Sequence, residues 1–163
     1  MRKKSLQAVP CGIARAVDLL GDPWTVVIIR EALFGITAFD DFVKVLTIPR
    51  NTLAARLDAL VSAGLMRKSR DTQDGRRSVY ELEPAGQELW VVLLALQQWG
   101  NKWCFDDEGA PSFMADHGSK RPVGELQVRS SDGDVLTLDQ ITMIAGPSAT
   151  PELEARFRTL KKV

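Results

Sequence analysis

The chain has 163 residues, of which 45% are apolar and 26% charged, so it can bury a core and is not of the disordered class. Lys plus Arg (21) equals Asp plus Glu (21), which excludes a uniformly basic coat for nucleic acid but leaves room for a local basic patch. From the N-terminal side, Gly12 to Leu20 reads as a short helix, with Ile13, Ala16, Val17 and Leu20 at helical spacing and Gly21 as its stop. Asp22-Pro23 starts a second helix through Trp24, Val27 and Ile28: Asp caps free amides, and Pro at the first helical position forfeits no donor. Gly35 ends it. A third helix is expected from about Thr37, with Asp40 three residues on and a stripe of Phe39, Phe42, Val43 and Leu46.

Thr47-Ile48 is a tight connector, and Pro49 opens a fourth helix with Leu53, Leu57, Leu60 and Val61 on one face. Gly64 suits the left-handed residue that ends it. The period then changes. Leu65 to Arg70 and Arg77 to Leu82 read as two strands around a turn at Asp74-Gly75. Pro84 opens a long helix to about Phe105. It carries two apolar stripes, one of Leu89, Leu93, Leu96 and Trp103, the other of Val92 and Trp99. A helix packed only on its own domain needs one stripe, so the second points to a partner subunit or to cover by the C-terminal segment. Asp106 to Pro111 reads as a linker. Beyond it, Glu125 to Val128 and Val135 to Ile144 are β-like, and Pro151 to Leu160 forms a short helix capped by Thr150. The expected domains are therefore 1–105 and a small β-rich extension, 106–163.

Charge is unevenly placed. Residues 1–105 carry a net +3 and residues 106–163 a net −3. Between Arg50 and Arg77 lie seven basic residues against Asp58, Asp71 and Asp74. Helix, tight turn, leucine-striped helix and two-stranded ribbon together make the pattern of a winged helix-turn-helix, mainly α with a small β wing. The fourth helix then presents its polar start. Arg50, Asn51, Thr52, Ala55 and Arg56 lie off the leucine stripe and are the candidate major-groove residues. Asn pairs with an adenine edge, Arg with a guanine edge, and the Thr methyl with a thymine methyl. Lys68, Arg70, Arg76 and Arg77 would lie along phosphates or in the minor groove. For Arg56 two roles stand level: DNA contact, or a bridge to an acidic neighbour that holds the motif together.

The run Cys11-Gly12-Ile13-Ala14-Arg15 through Gly21-Asp22-Pro23-Trp24 resembles the opening of the HxlR-type bacterial transcriptional regulators. The likeness continues through Ile29 to Gly35, Phe39 to Phe42, Leu53 to Leu60, Ala63-Gly64-Leu65, Tyr80 to Gly86 and Trp99 to Trp103. It implies a homodimeric winged-helix repressor or activator whose partner is double-stranded DNA. The first helix and the long helix after the wing would form the dimer interface, through Leu89, Val92, Leu93, Leu96, Trp99 and Trp103. Two departures are visible. Glu83 stands where a Thr commonly caps the long helix, and the wing from Asp71 to Arg77 is more like that of MarR-type relatives. The tail resembles a small zinc ribbon of some members, but Met114, His117, Arg129 and Asp132 occupy the ligand positions. Arg cannot ligate zinc, so no metal and no cofactor are expected.

The resemblance also implies that Cys11 is a thiol that senses oxidants or electrophiles in some members. Cys104 at the end of the long helix is its candidate partner across a dimer, the alternative being two inert core thiols. Two cysteines make no disulfide framework, no apolar run reaches a membrane span, and no secretory apolar segment follows Met1 to Lys4. A cytoplasmic protein is the expectation. An enzyme is disfavoured by a single His and by the lack of a nucleophile elbow, phosphate loop or metal-ligand cluster. The remaining alternatives are a winged-helix module that binds protein instead of DNA, and a regulator that answers to a small molecule.

Overall fold

The computed structural model describes residues 5–71, 75, 77–106 and 109–159. The chain divides into two compact units, Met1–Phe113 and Met114–Val163. In the first, α1 (Gly12–Leu20), α2 (Pro23–Leu33), α3 (Phe39–Leu46) and α4 (Arg50–Ser62) precede the strands β1 (Met66–Arg70) and β2 (Ser78–Leu82). A one-turn helix α5 (Pro84–Gln87) and a longer α6 (Trp90–Trp103) follow. The core sits where α2, α3, α4 and the ribbon meet. Ile28, Ile29, Phe42, Ile48, Leu53, Leu57 and Met66 are sealed there, with Leu60 and Tyr80.

Each start and stop has a local cause. Asp22 Oδ1 accepts the Trp24 amide at 3.0 Å and Pro23 occupies the next position, so α2 begins as the Asp-Pro pair dictates. α3 starts at Phe39, two residues later than the sequence suggests, and no side chain caps it. Its first turn instead leans on the ribbon: Tyr80 N donates to Thr37 O at 2.8 Å, and Ala38 bridges Val79. α4 closes in a Schellman motif. Gly64 has φ +71°, its amide donates to Val61 O, and the Leu65 amide donates to Leu60 O, both at 3.0 Å. That reversal sends the chain into β1, which pairs antiparallel with β2 from Met66↔Leu82 to Arg70↔Ser78.

The long helix expected from Pro84 is two helices. Glu88 and Leu89 have ψ of −18° and −9°, and the Leu89 amide donates to Gly86 O, three residues back, at 3.3 Å. This tight, 3₁₀-like step interrupts the α-helical ladder without any Pro or Gly at 88–89 to announce it. Gly86 itself is wedged against the end of α4. A Cβ there would stand 2.2 Å from Leu65 O and 2.9 Å from Leu82 Cδ2.

The second unit differs from expectation. Glu125 to Val128 and Val135 to Ile144 form no strand among the described residues; only the isolated bridges Ala115↔Pro122 and Arg129↔Val135 occur. None of its described residues is buried, so pairing these segments would gain little from apolar contact. A 3₁₀ turn (Leu138–Gln140) is boxed by Thr137 and Gln140. A last helix, α7 (Pro151–Thr159), begins with the Leu153 amide on Thr150 Oγ1 at 3.3 Å, the cap the sequence predicts.

Because the nearest atom that a Cβ at Gly86 meets is the backbone oxygen of Leu65, Gly86→Ala must displace the α4–β1 junction. The expected loss is about 1–3 kcal/mol of stability, read as a lower urea midpoint at unchanged m-value.

Candidate nucleic-acid interface

α3 and α4 are joined by three residues. Ile48 is buried to 2% exposure and pins the connector to the core. Thr47 turns the chain with φ +50° and ψ +34°, the left-handed region, although it is β-branched and exposed. Pro49 precedes α4 in extended conformation and no side chain caps the helix. The first-turn amides of α4 thus keep their hydrogen-bonding capacity for an outside acceptor such as a phosphate.

The leucines of α4 face inward at i, i+4 and i+7, which turns the other side of its first two turns outward. Asn51 and Ala55 are exposed and Thr52 is half-buried. Arg50 is exposed but not loose: its Nη1 lies 2.7 Å from Asp40 Oδ1, and its guanidinium sits 4.9 Å from the Phe39 ring centre. Arg56 is turned away from that side. Its Nη2 lies 2.7 Å from Asp22 Oδ2. Of the two roles the sequence left open for Arg56, the bridge to an acidic neighbour is the one the geometry contains.

The ribbon supplies the other cations. Lys68 and Arg70 on β1 and Arg77 before β2 are exposed; Arg76 lies outside the described residues. Lys68 Nζ is 5.4 Å from the ring centre of the buried Tyr80. A hydrogen bond to Tyr80 and the charge attraction to it raise the Lys68 pKa above its ordinary value. This contact favours the charged lysine, so its contribution is present below the ordinary lysine pKa and is lost as pH rises through the raised one. Arg67 is occupied by Glu81 at 3.0 Å and Glu83 at 3.7 Å. A cleft of about 330 Å³ runs between α3, α4 and the ribbon, and Arg50, Lys68 and Arg77 all line it. The start of α4 and the ribbon cations therefore form one continuous surface. Sequence reasoning missed Phe39, Tyr80 and Asp40 as the groups that hold two of these cations in place. Arg50 and Asp40 are ten positions apart and lie on different helices, so no helical periodicity connects them.

A second surface is apolar. Ile13, Val17, Leu20, Val92 and Leu96 line a groove of about 360 Å³ between α1, α2 and α6. Ile13 is 73% exposed, Trp99 62% and Trp103 66%. Leu93, expected at a dimer interface, is 8% exposed and belongs to the core of its own unit. Leu89 is half-buried. Cys11 stands at the position just before α1 and is half-buried; Cys104 stands just after α6 and is exposed. In the second unit, Arg129 donates to Gly133 O and to Gln127 Oε1, both at 2.7 Å. Among the described residues no three His, Cys, Asp or Glu side chains gather where a metal could bind, and no helix is long and apolar enough to cross a membrane.

A tight two-helix corner, an outward polar helix start and a flanking cationic ribbon define a winged helix-turn-helix DNA-binding regulator. The profile of the HxlR-like helix-turn-helix matches residues 19–108. An uncharacterized HTH-type transcriptional regulator of Mycobacterium tuberculosis is 33% identical over 141 residues, 86% of this chain and 89% of that protein. A regulator of Mycobacterium bovis matches to the same extent. Among solved structures, the candidate transcription factor PA1607 superposes with a TM-score of 0.82 at 34% identity, covering 86% of this chain and 98% of its own. A second, PA1374 from Pseudomonas aeruginosa, gives 0.65 at 36% identity, covering 90% and 99%. The chain belongs to the HxlR-like helix-turn-helix family, whose members are transcriptional regulators and not enzymes.

A β-branched residue in the left-handed region is strained, and Asn tolerates that region far better. Thr47→Asn should raise stability by about 0.5–1 kcal/mol in chemical denaturation, since Thr47 is exposed and gives up no packing.

Proposed function

We propose that the protein binds a near-palindromic duplex as a homodimer, each protomer laying the start of α4 into a major groove and the β1–β2 ribbon along the adjacent backbone. One observation carries this: the leucine stripe of α4 turns Asn51, Thr52 and Ala55 outward, beside the cleft that Arg50, Lys68 and Arg77 line. Asn51 and Thr52 read base edges, and the small Ala55 lets the helix approach the groove wall. Arg50, Lys68, Arg70 and Arg77 neutralise phosphates, joined by Arg76, which lies outside the described residues. The reading separates from a protein-binding module by salt. Counterion release makes log affinity fall linearly with log salt, and Arg70→Gln or Arg77→Gln should weaken binding to all sequences and flatten that slope by about one. Asn51→Ala should cost about 1–3 kcal/mol at one base position and relax discrimination there. Equal affinity in all three variants, measured by fluorescence anisotropy, would refute the assignment.

The apolar groove supports the homodimer. Ile13, Val17, Leu96, Trp99 and Trp103 all stand exposed along α1 and α6, and exposed apolar side chains clustered on two helices mark an association face. Trp99 is 62% exposed, so Trp99→Glu should yield a folded monomer in sedimentation with weakened DNA binding; an unchanged dimer would exclude this face.

Control through the thiols is favoured by the accessibility of Cys11 and Cys104 at the ends of the two helices that border the groove. Diamide would accept two electrons and two protons as the thiols of facing protomers join, given Cα atoms within about 7 Å. The expected result is a covalent dimer on a non-reducing gel, lost in both Cys11→Ser and Cys104→Ser, with altered DNA affinity. Diamide that leaves both mass and affinity unchanged would remove thiol control.

A further inference from the structure

The corner where α1 meets α2 holds a charged link that the DNA-facing side of α4 does not explain. Arg56 leaves the middle of α4 and places Nη2 2.7 Å from Asp22 Oδ2. The other oxygen of that carboxylate accepts the Trp24 amide at 3.0 Å. One side chain thus caps α2 and grips α4. Arg56 Nε is buried with no acceptor among the described residues. The side chain as a whole keeps 38% exposure, and turning its guanidinium towards a duplex would break the ion pair. A recess of about 400 Å³ adjoins the pair, bordered by Gly21, Thr25, Ala59 and Ala63. Leu60, the last leucine of the α4 stripe, also lines this recess, so the ion pair adds a polar anchor beside an apolar one. Gly21, the neighbour of Asp22, also borders the apolar groove.

We propose that Arg56 is a positioning residue that acts through Asp22 to set how α4 is presented to DNA, and does not touch DNA itself. This rests on the reading of α4 as the helix that enters the groove. Asp22→Asn is the cleanest probe, because Asn caps a helix as well as Asp does but lacks the charge that holds Arg56. Arg56→Gln removes the other partner.

The experiment selects a duplex with the full-length wild-type protein from a randomised pool. It then measures affinity for that duplex, across salt, for Asp22→Asn, Arg56→Gln and the double variant, with thermal midpoints alongside. Each single variant should lose affinity by roughly 10-fold, the scale of coupling between residues in contact, and the double should lose no more than the worse single. The salt slope should equal that of the wild type in all three, because no phosphate contact is removed. A slope lowered by about one in Arg56→Gln, with Asp22→Asn unaffected, would make Arg56 a DNA contact and overturn the proposal. Additive losses would overturn it too. So would lower thermal midpoints with wild-type affinity, measured where every variant is folded, since the pair would then only stabilise the fold. Asn51→Ala is the control. If it binds the selected duplex like the wild type, the reading of α4 fails and this inference falls with it. If it weakens binding as expected while the ion-pair variants do not, only this inference fails.

Discussion

The burial of Leu53, Leu57 and Leu60 is the constraint on which the rest depends. These side chains are spaced to seal one face of α4 against the core that contains Phe42, Ile28 and Ile29. A helix anchored along one stripe has only one rotation about its axis that satisfies the anchor. Once it is fixed, Asn51 and Ala55 have to face solvent. The buried Ile48 fixes the tilt by holding the connector, and the Schellman motif at Gly64 fixes where the ribbon departs. The polar face is thus a by-product of the apolar one.

The cations are arranged with the same economy. The chain has no net charge, so attraction for a polyanion has to come from where charges sit. Arg50 lies against Phe39 and pairs with Asp40, while Lys68 lies against Tyr80. Both are long side chains that would otherwise lose rotamer freedom on binding. The aromatic supports restrict that freedom beforehand, in the folded protein. Arg67 and Arg56, which the composition of the same window could not tell apart from these, are directed to Glu81 and Asp22 instead.

How much of this was legible in the sequence follows from the range of the interactions. The order of elements, the leucine stripe, the Asp22-Pro23 start and the Gly64 stop are all written within one or two turns, and they were readable. So was the family, through several short motifs spread over two-thirds of the chain. The 3₁₀-like step at Glu88-Leu89 was not readable, because neither residue is a breaker and the glycine before it, Gly86, is set by its contact with Leu65. Nor was the destination of Arg56, since Asp22 is 34 positions away and carried an adequate local role as a cap. In the second unit Glu125 to Val128 and Val135 to Ile144 read as β-like from their residues. A sheet needs something to cover one face, and no described residue of that unit is buried.

The bond from Tyr80 N to Thr37 O and the bridge between Ala38 and Val79 fasten the root of the ribbon to the approach of α3. Ribbon and helix pair are thereby stitched into a single stiff caliper, whose jaw separation is set by backbone hydrogen bonds. A stiff caliper cannot adjust to the width of what it measures. Under the proposed mode of binding, sequences whose grooves already match, or yield easily, are gripped at least elastic cost, so discrimination extends to base pairs that no side chain reaches.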